Sequence, residues 1–387
     1  MVPCPLGKVL LFAINPDHKS QLDPAHKNDR QEQNQKVVDM AFMYKGGLHR
    51  CKSITPMICK HLVLTGSSGF LGKHLLHSFL TSSSPEDNIH YKIHTLYNSH
   101  ADFDQLVATF VSDLKDIPSC SIVPYALDFT NSLAIDTWLE KELPQIPVID
   151  CCIHVAALAN PGQCEKNPEL AEKVNVPSAF FDALTQKKNC QKIIALSTDH
   201  VYNQPCLEQD IENLDLQPIN VYGRTKLAME QYLMGPKGPP QVICLRSSII
   251  LGRKTPIAPE SSHSTFLHFC ASRDGQETTF WSDEMRNVIW VEDVIASIRW
   301  LVDHDIPKKS VFNMGGPNSV SRLDMAKAVF EHFLYDTKWL ISKEKMKESP
   351  AAGGAPSPLD ISMDSSRLQK LVGRSFADLE AVIRETF

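Results

Sequence analysis

Three glycines, each three residues from the next, most constrain what this chain can fold into. They are Gly66, Gly69 and Gly72. They stand between a short apolar run at residues 62–64 and a segment from Phe70 onward with apolar residues at helical spacing. Between strand and helix, such glycines allow a sharp turn, close approach to a pyrophosphate and tight packing of helix on strand. The pattern predicts a dinucleotide site, and the alternative is a glycine-rich turn that binds nothing.

Strands and helices alternate after this turn. Strands are predicted at residues 91–97, 122–127, 148–156, 193–196, 242–245 and 311–314. Helices are predicted at residues 133–139, 174–184, 222–233 and 376–387, with a strand running into a helix over 288–302. A further helix is predicted from Ser321, with Ser321 as N-cap and Asp324 as N3. This alternation is typical of an α/β fold with a doubly wound parallel sheet, the Rossmann arrangement.

The composition excludes several classes of protein. A net charge of −6 over 387 residues offers no basic surface for nucleic acid. The eleven cysteines are odd in number and follow no secretory signal or zinc-like spacing, which favours free thiols and no metal site. No apolar run reaches the length of a membrane span. A cytoplasmic protein is therefore expected.

The chain is predicted to have three parts. Residues 1–56 form an N-terminal extension that is expected to be disordered, because its stretch 17–36 is polar and almost without apolar residues. Residues 57–250 form the NAD(P)-binding Rossmann domain. Residues 251–387 form mainly a small substrate-binding lobe over the carboxyl ends of the strands, with residues 286–303 returning to the Rossmann core.

Three residues predict chemistry on a carbonyl group. Tyr222 and Lys226 lie one helical turn apart, about 6 Å along the axis, and an ammonium beside a phenol lowers the phenol pKa. Thr198 ends the preceding strand at the cleft face and could hydrogen-bond the same substrate oxygen. Together they would reduce a carbonyl with a hydride from a nicotinamide and a proton from Tyr222. The alternative is a capping threonine and a surface Tyr/Lys pair.

The motifs resemble the extended short-chain dehydrogenase/reductase family. Residues 65–72 (Thr-Gly-Ser-Ser-Gly-Phe-Leu-Gly) match its T-G-x-x-G-x-x-G pattern. Residues 196–202 and 221–226 resemble the dTDP-4-dehydrorhamnose reductase (RmlD-like) branch, to which the beta subunit of methionine adenosyltransferase also belongs. Residues 358–364 resemble the C-terminal signature of that branch. The resemblance extends from about residue 60 to the C-terminus.

The resemblance implies a set of cofactor-binding residues. They are Gly66, Ser68, Gly69, Phe70, Leu71, Gly72, Ser99, His100, Asp128, Ala156, Ala157, Asn175, Tyr222 and Lys226. Asp128 resembles the family's adenine-contacting acid, and Ala156 and Ala157 resemble the small pair that lines the cofactor. Asn175 resembles the asparagine of the following helix.

The end of the second strand bears on the choice of cofactor. NAD sites usually place an acid there to bind the ribose 2′-hydroxyl. Here the residues after Tyr97 contain no acid before Asp102. This favours NADP(H) over NAD(H), with Ser99 and His100 as phosphate contacts and Lys73 as a further candidate.

Two residues are expected to bind substrate. One is Asp199, next to Thr198. The other is Arg286, which resembles the arginine that contacts the nucleotide-sugar pyrophosphate in many extended members, a role that suits a planar guanidinium. A structural ion pair of Arg286 with Glu292 or Asp293 is the alternative. Many of the reductases have glycine at this position, which leaves the substrate open.

The resemblance implies an NAD(P)H-dependent oxidoreductase acting on a 4-keto nucleotide-sugar, as in dTDP-rhamnose biosynthesis. The alternative is a non-catalytic, NADP-binding regulatory subunit of methionine adenosyltransferase in S-adenosylmethionine biosynthesis. The partner is then either a nucleotide-sugar or a methionine adenosyltransferase catalytic subunit. No nucleic acid or membrane partner is expected, and homodimer formation stays open.

Overall fold

The computed structural model describes residues 41–44, 47–50, 58–81, 89–98, 102–114, 120–143, 145–146, 148–207, 211, 214–236, 238–259, 265–345 and 355–387. The chain divides into two compact units, Met1–Pro56 and Met57–Phe387. In the first, β1 (Ala41–Tyr44) and β2 (Gly47–Arg50) pair as an antiparallel hairpin. Apart from this hairpin, the extension 1–56, which was predicted to be disordered, lies outside the described residues.

The second unit is built on a seven-stranded parallel sheet. Its strands are β3 (Ile58–Thr65), β4 (Ile89–Tyr97), β5 (Cys120–Ala126), β6 (Cys151–His154), β7 (Lys192–Thr198), β8 (Gln241–Ser247) and β12 (Lys309–Met314). Their spatial order is β12-β8-β7-β6-β3-β4-β5. The chain winds outward in opposite directions from β3 and β6, which confirms the doubly wound prediction. Ligands bind in such sheets at this switch point, where the glycine turn follows β3.

Helices cover both faces of this sheet. The α-helices among the described residues are α1 (Phe70–Thr81), α2 (Phe103–Ser112), α3 (Ser132–Lys141), α4 (Pro161–Lys166), α5 (Pro168–Asn175), α6 (Ser178–Lys188), α7 (Val221–Met234), α8 (Phe266–Ala271), α9 (Val291–Asp303), α10 (Arg322–Phe333), α11 (Ser366–Val372) and α12 (Leu379–Thr386). Alternate residues of β3 point to opposite faces. Leu62 and Leu64 pack in the core under α1 and α9, whereas Val63 packs in the core under α3, α6 and α7.

The helix predicted over residues 174–184 is broken in two. α5 ends at Asn175 and α6 begins at Ser178. Pro177 lacks a backbone N–H, and its ring disfavours helical backbone at Val176, so one continuous helix cannot form. The strand predicted over 148–156 is also shorter, Cys151–His154.

The lobe is a separate layer of sheet and helix. It contains β9 (Ile249–Leu251), β11 (Arg286–Trp290) and β13 (Ser319–Val320) in one sheet and β10 (Thr278–Trp281) with β14 (Leu340–Lys343) in another. α8, α10 and α12 pack around its apolar core. At the start of α10, Ser321 and Asp324 form the predicted capping box.

Two elements of the 251–387 range, predicted mainly as lobe, join the Rossmann part. β12 is the edge strand of the large sheet. α9 packs in the same core as α1. β11, which lies in the range predicted to return to that core, pairs instead with β9 and β13.

Three further features of the described residues bear on what the chain can bind. No described helix is long and apolar enough to cross a membrane. No group of three His, Cys, Asp or Glu side chains among them could hold a metal ion. The nine described cysteines are free thiols.

Candidate functional site

The three glycines of the turn have different surroundings. Gly66 has a φ of +67°, and a Cβ there would lie 2.8 Å from the backbone of Ala156. A Cβ on Gly72 would lie 2.2 Å from the Gly66 carbonyl oxygen and 2.6 Å from the Cα of Ser67. A Cβ on Gly69 would meet only the Gly66 oxygen, at 3.3 Å. Gly66 and Gly72 are therefore needed for the chain's own packing, whereas Gly69 is open toward the cleft.

A cleft of about 520 Å³ adjoins this turn. Of the predicted cofactor-binding residues, it is lined by Gly66, Ser68, Gly69, Asp128, Ala156 and Ala157. Phe70, Leu71 and Gly72 begin α1 directly after the turn. The Asp128 carboxylate accepts hydrogen bonds of 2.8 Å from the backbone and the hydroxyl of Thr130, which fixes it at the end of β5.

A buried threonine and histidine hold the wall opposite the turn. The Thr65 hydroxyl oxygen accepts hydrogen bonds from the backbone N–H groups of Val155 and Ala156, both at 3.2 Å. Its own hydrogen is therefore directed at His154 Nδ1, 3.0 Å away. His154 is fully buried, and burial lowers its pKa to about 3. These contacts place Ala156 against Gly66.

The remaining predicted cofactor residues lie elsewhere. Asn175 is fully buried behind the cleft, where its side chain accepts from the Leu158 N–H at 2.7 Å and donates to the Thr225 hydroxyl at 2.9 Å. It thus joins the cleft wall to α7. Lys73 is buried in α1, and burial lowers its pKa. Ser99 and His100 lie outside the described residues.

A second cavity, of about 410 Å³, contains the predicted catalytic residues Thr198 and Tyr222. The predicted substrate residues Asp199 and Arg286 also line it. Ala159 lines this cavity, and its neighbour Leu158 lines the cofactor cleft, so one loop borders both. The predicted residues are therefore collected at the carboxyl end of β7.

α7 lies unusually close to the turn after β7. Asn220 caps the helix by accepting a hydrogen bond of 2.8 Å from the Gly223 N–H. A Cβ on Gly223 would lie 2.1 Å from the carbonyl oxygen of His200, so only glycine allows this approach. The His200 ring in turn packs edge-on against the Tyr222 ring, with centroids 5.7 Å apart. These contacts hold Tyr222 in the wall of the cavity that Thr198 also lines.

The expected effect of Lys226 on Tyr222 is wrong for this structure. Burial raises the pKa of Tyr222, and Asp199 adds to the rise, while the nearby Thr198 hydroxyl opposes it. The Lys226 ammonium points instead toward Met229, 3.6 Å from its sulfur. Burial lowers the pKa of Lys226 to about 8, with Glu230 opposing this shift. The phenol is therefore protonated at neutral pH, as a proton donor must be.

Asp199 organises the polar side of the cavity. It is buried, and its two carboxylate oxygens accept hydrogen bonds of 3.0 Å from Thr198 and Ser248. The Thr198 oxygen also accepts from the His200 N–H at 3.2 Å. Because the single Thr198 hydrogen is directed at Asp199 here, orienting a substrate carbonyl requires that hydrogen to turn toward the cavity.

Arg286 is bound by the chain itself. Its Nη1 donates to the carbonyl oxygens of Met285 at 2.6 Å and Leu359 at 3.2 Å. Its Nη2 donates to the Ser357 hydroxyl at 3.1 Å and the Pro358 carbonyl at 2.5 Å. All four Nη hydrogens are thus engaged, and the side chain fastens the C-terminal signature segment to β11.

The alternative for Arg286, an ion pair with Glu292 or Asp293, is not formed. Glu292 pairs with Arg253 at 2.9 Å, and Asp293 pairs with Arg374 at 2.6 Å. Both acids lie in the first turn of α9, after the strand that carries Arg286. Proximity in sequence did not determine their partners.

Two features of the cavity were not predicted from the sequence. Gly223 and His200 lie inside the motifs that carry the family resemblance, but their packing depends on contacts between β7 and α7. Arg322 lines the cavity from the first turn of α10. A cation there opposes the helix dipole, which is the one sequence signal that this arginine has a task outside its helix.

Comparisons with known proteins agree with this geometry. Residues 60–387 match the protein family described as RmlD substrate binding domain. Methionine adenosyltransferase 2 subunit beta of Danio rerio is 26% identical over 225 residues, which are 57% of this chain and 66% of that protein. UDP-glucose 4-epimerase of Pisum sativum is 28% identical over 172 residues, 44% of this chain and 45% of that protein. The chain thus spans just under two thirds of the first relative and under half of the second.

Solved structures show the same fold. The dTDP-4-dehydrorhamnose reductase of Bacillus anthracis str. Ames in complex with NADP has a TM-score of 0.60 at 18% identity, covering 85% of this chain and 98% of that one. The UDP-glucose 4-epimerase of Bifidobacterium longum in complex with NAD+ and UDP has a TM-score of 0.62 at 19% identity, covering 84% and 96%.

Proposed function

We propose that this chain, which belongs to the RmlD substrate-binding domain family within the extended short-chain dehydrogenases/reductases, reduces the 4-keto group of a nucleotide-sugar with NAD(P)H. One observation carries the proposal: Thr198 and a protonated Tyr222 share a cavity whose bordering loop also lines the cofactor cleft. A proton donor beside a carbonyl-orienting hydroxyl, next to a dinucleotide site, is the arrangement that carbonyl reduction needs.

Each side chain has a separate task in this proposal. When bound in the cleft, the reduced nicotinamide cofactor supplies a hydride to the carbonyl carbon. Thr198 orients the carbonyl oxygen, and Tyr222 donates its proton to that oxygen as negative charge develops there. An alkoxide is a stronger base than a phenolate, so this proton transfer is favourable even though burial raises the Tyr222 pKa. Lys226, whose ammonium points toward Met229 here, would hold the nicotinamide ribose after turning toward the cleft.

We propose NADP(H) as the cofactor. Tyr97 and Asn98 line the cleft at the end of β4, and neither carries a charge that would repel a 2′-phosphate. The solved relatives include complexes with NADP and with NAD. Ser99 and His100 remain the proposed phosphate contacts.

A second candidate function is supported by the curated relatives. Several of them are methionine adenosyltransferase 2 beta subunits, 26–27% identical over 225 residues. In that case the chain would bind NADP and a methionine adenosyltransferase without carrying out a reaction of its own. The phenol of Tyr222 would then have no chemical task.

Replacing Tyr222 tests the first function against the second. Tyr222→Phe removes one oxygen and keeps the ring, so the fold and cofactor binding should survive. Without its proton donor, turnover of a 4-keto nucleotide-sugar should fall by about 10²–10⁴-fold, followed as NADPH oxidation. Tyr232→Phe is the matched control, because Tyr232 lies on the same helix and bonds Asp182 at 2.6 Å, away from the cavity. Its turnover should remain near wild type.

A different set of results would support the regulatory function. If the wild-type protein oxidises NADPH with none of the 4-keto nucleotide-sugars but changes the kinetics of a methionine adenosyltransferase, the regulatory function is correct. In that case Tyr222→Phe should leave the effect on the partner unchanged.

A further inference from the structure

Two arginines line the cavity beside Tyr222, and they differ in their hydrogen bonding. Arg286 has all four Nη hydrogens engaged by the backbone and hydroxyl groups of the chain. Arg322 lines the same cavity, yet among the residues that the structure describes none accepts a hydrogen bond from its guanidinium or forms an ion pair with it. Its flat face stacks on the Phe266 ring, 4.8 Å from the centroid, which holds it in place.

No acid among the described residues forms an ion pair with Arg322. Glu284 is the acid with the largest effect on its pKa, but the Glu284 carboxylate pairs with Lys345 at 2.6 Å. Asp199 accepts hydrogen bonds from Thr198 and Ser248. Arg286 adds a second positive charge. Arg322 is half-buried, and because burial there removes water without supplying an acceptor, its pKa is lowered. The polar wall of the cavity therefore offers a guanidinium that donates no hydrogen bond to any described residue.

We propose that Arg322, and not Arg286, binds the diphosphate of the nucleotide ligand in this cavity. The identity of the ligand rests on the proposed function, and the inference adds that Arg322 is the residue that selects this ligand. Arginine binds phosphate oxygens through two parallel N–H donors, which suits a guanidinium fixed by stacking and free of other acceptors. Arg286 then acts as a positioning residue that fastens residues 357–359 along the cavity edge.

Binding measurements on the full chain test this assignment without requiring turnover. The ligands are UDP, dTDP and inorganic pyrophosphate, with uridine and thymidine as probes that lack the diphosphate, each titrated calorimetrically in the presence of NADP⁺. Arg322→Gln should weaken UDP or dTDP binding by about ten- to a hundredfold, the loss of one or two charge-assisted hydrogen bonds. It should leave nucleoside binding unchanged. Arg322→Lys keeps the positive charge but not the two parallel N–H donors. Its affinity for UDP or dTDP should therefore lie between those of wild type and Arg322→Gln.

Two further variants separate a contact from a structural effect. Arg286→Gln should lower the melting temperature more than Arg322→Gln does, and should weaken diphosphate binding less. Arg273→Gln is the matched control, because Arg273 also stacks on a lobe phenylalanine, Phe269, at 4.9 Å but does not line the cavity. It should bind every ligand like wild type.

Each outcome decides one of the two proposals. If a folded Arg322→Gln protein binds UDP, dTDP and pyrophosphate like wild type, or if wild type binds none of them, the Arg322 assignment is overturned. If diphosphates bind through Arg322 but no 4-keto nucleotide-sugar is reduced, the assignment stands and the reductase function fails. An affinity that depends on a sugar carboxylate in place of the diphosphate would also overturn it, and a comparison of UDP-glucuronic acid with UDP-glucose tests this.

Discussion

Substitutions at the three turn glycines should separate loss of cofactor binding from loss of stability. Gly66→Ala places a side chain in the left-handed region, which costs about 1–2 kcal/mol. Its Cβ would also lie 2.8 Å from Ala156 backbone atoms, an overpacking cost of about 1–3 kcal/mol. Gly66→Ala should therefore reduce the free energy of unfolding by about 2–5 kcal/mol.

Gly69 should behave differently from its neighbours. Its Cβ would meet only the Gly66 oxygen at 3.3 Å, a contact that a small backbone shift relieves. Gly69→Val should therefore change the free energy of unfolding by less than about 1 kcal/mol. Its side chain would extend into the 520 Å³ cleft. NADPH affinity should then fall by at least about tenfold, equivalent to 1.4 kcal/mol.

Gly72→Ala supplies the third comparison. Alanine favours a helix over glycine by about 1 kcal/mol, but the 2.2 Å contact with the Gly66 oxygen should outweigh that gain. Urea unfolding gives the stability of each variant, and fluorescence titration with NADPH and NADH gives the affinities. A folded Gly69→Val protein that binds NADPH like wild type would refute the placement of the dinucleotide in this cleft. Equal stability of all three variants would refute the packing argument.

Two other positions yield predictions. Gly223→Ala should force α7 away from the His200 oxygen, because the added Cβ would lie 2.1 Å from it. A displacement of Tyr222 by about 1 Å should lower kcat by about 100-fold, while NADPH affinity, measured by the same titration, stays near that of wild type. An unchanged kcat would show that the position of the helix is not critical. The His154 pKa is 6.5 when unfolded and about 3 when folded, so between those values the unfolded chain binds one more proton and stability falls as pH falls. His154→Phe should therefore lower the slope of the unfolding free energy against pH by about 1.4 kcal/mol per pH unit in this range. Urea unfolding at pH 6, 5 and 4 measures that slope, and an unchanged slope would contradict the lowered pKa of His154.

The sheet and the turn could be predicted because their causes are local. Apolar runs and helical periodicity determined the order of strands and helices, and glycine stereochemistry determined the turn. The break at Pro177 was also local, but the apolar pattern on both sides of it masked the missing N–H. The strand over 148–156 was overestimated because Val155 and Ala156 bond the Thr65 side chain instead of a neighbouring strand.

The errors in the site come from contacts between distant residues. Spacing places Tyr222 and Lys226 on one helix face, but it does not determine that the ammonium points toward Met229. Arg286 was expected to face substrate or a nearby acid, yet three of its four acceptors lie more than seventy residues later. No periodicity in the sequence contains such pairings.

The two candidate functions make different demands on the cavity. A regulatory subunit needs its partner surface and its cofactor, and neither requires a phenol and a threonine in one cavity or a guanidinium without an acceptor. Burying polar groups without partners costs free energy. A ligand in the cavity, with its anion at Arg322 and its reacting oxygen at Tyr222, would offset that cost. If Tyr222→Phe lowers kcat while Arg322→Gln raises only KM, both residues act on one substrate, as the reductase function requires.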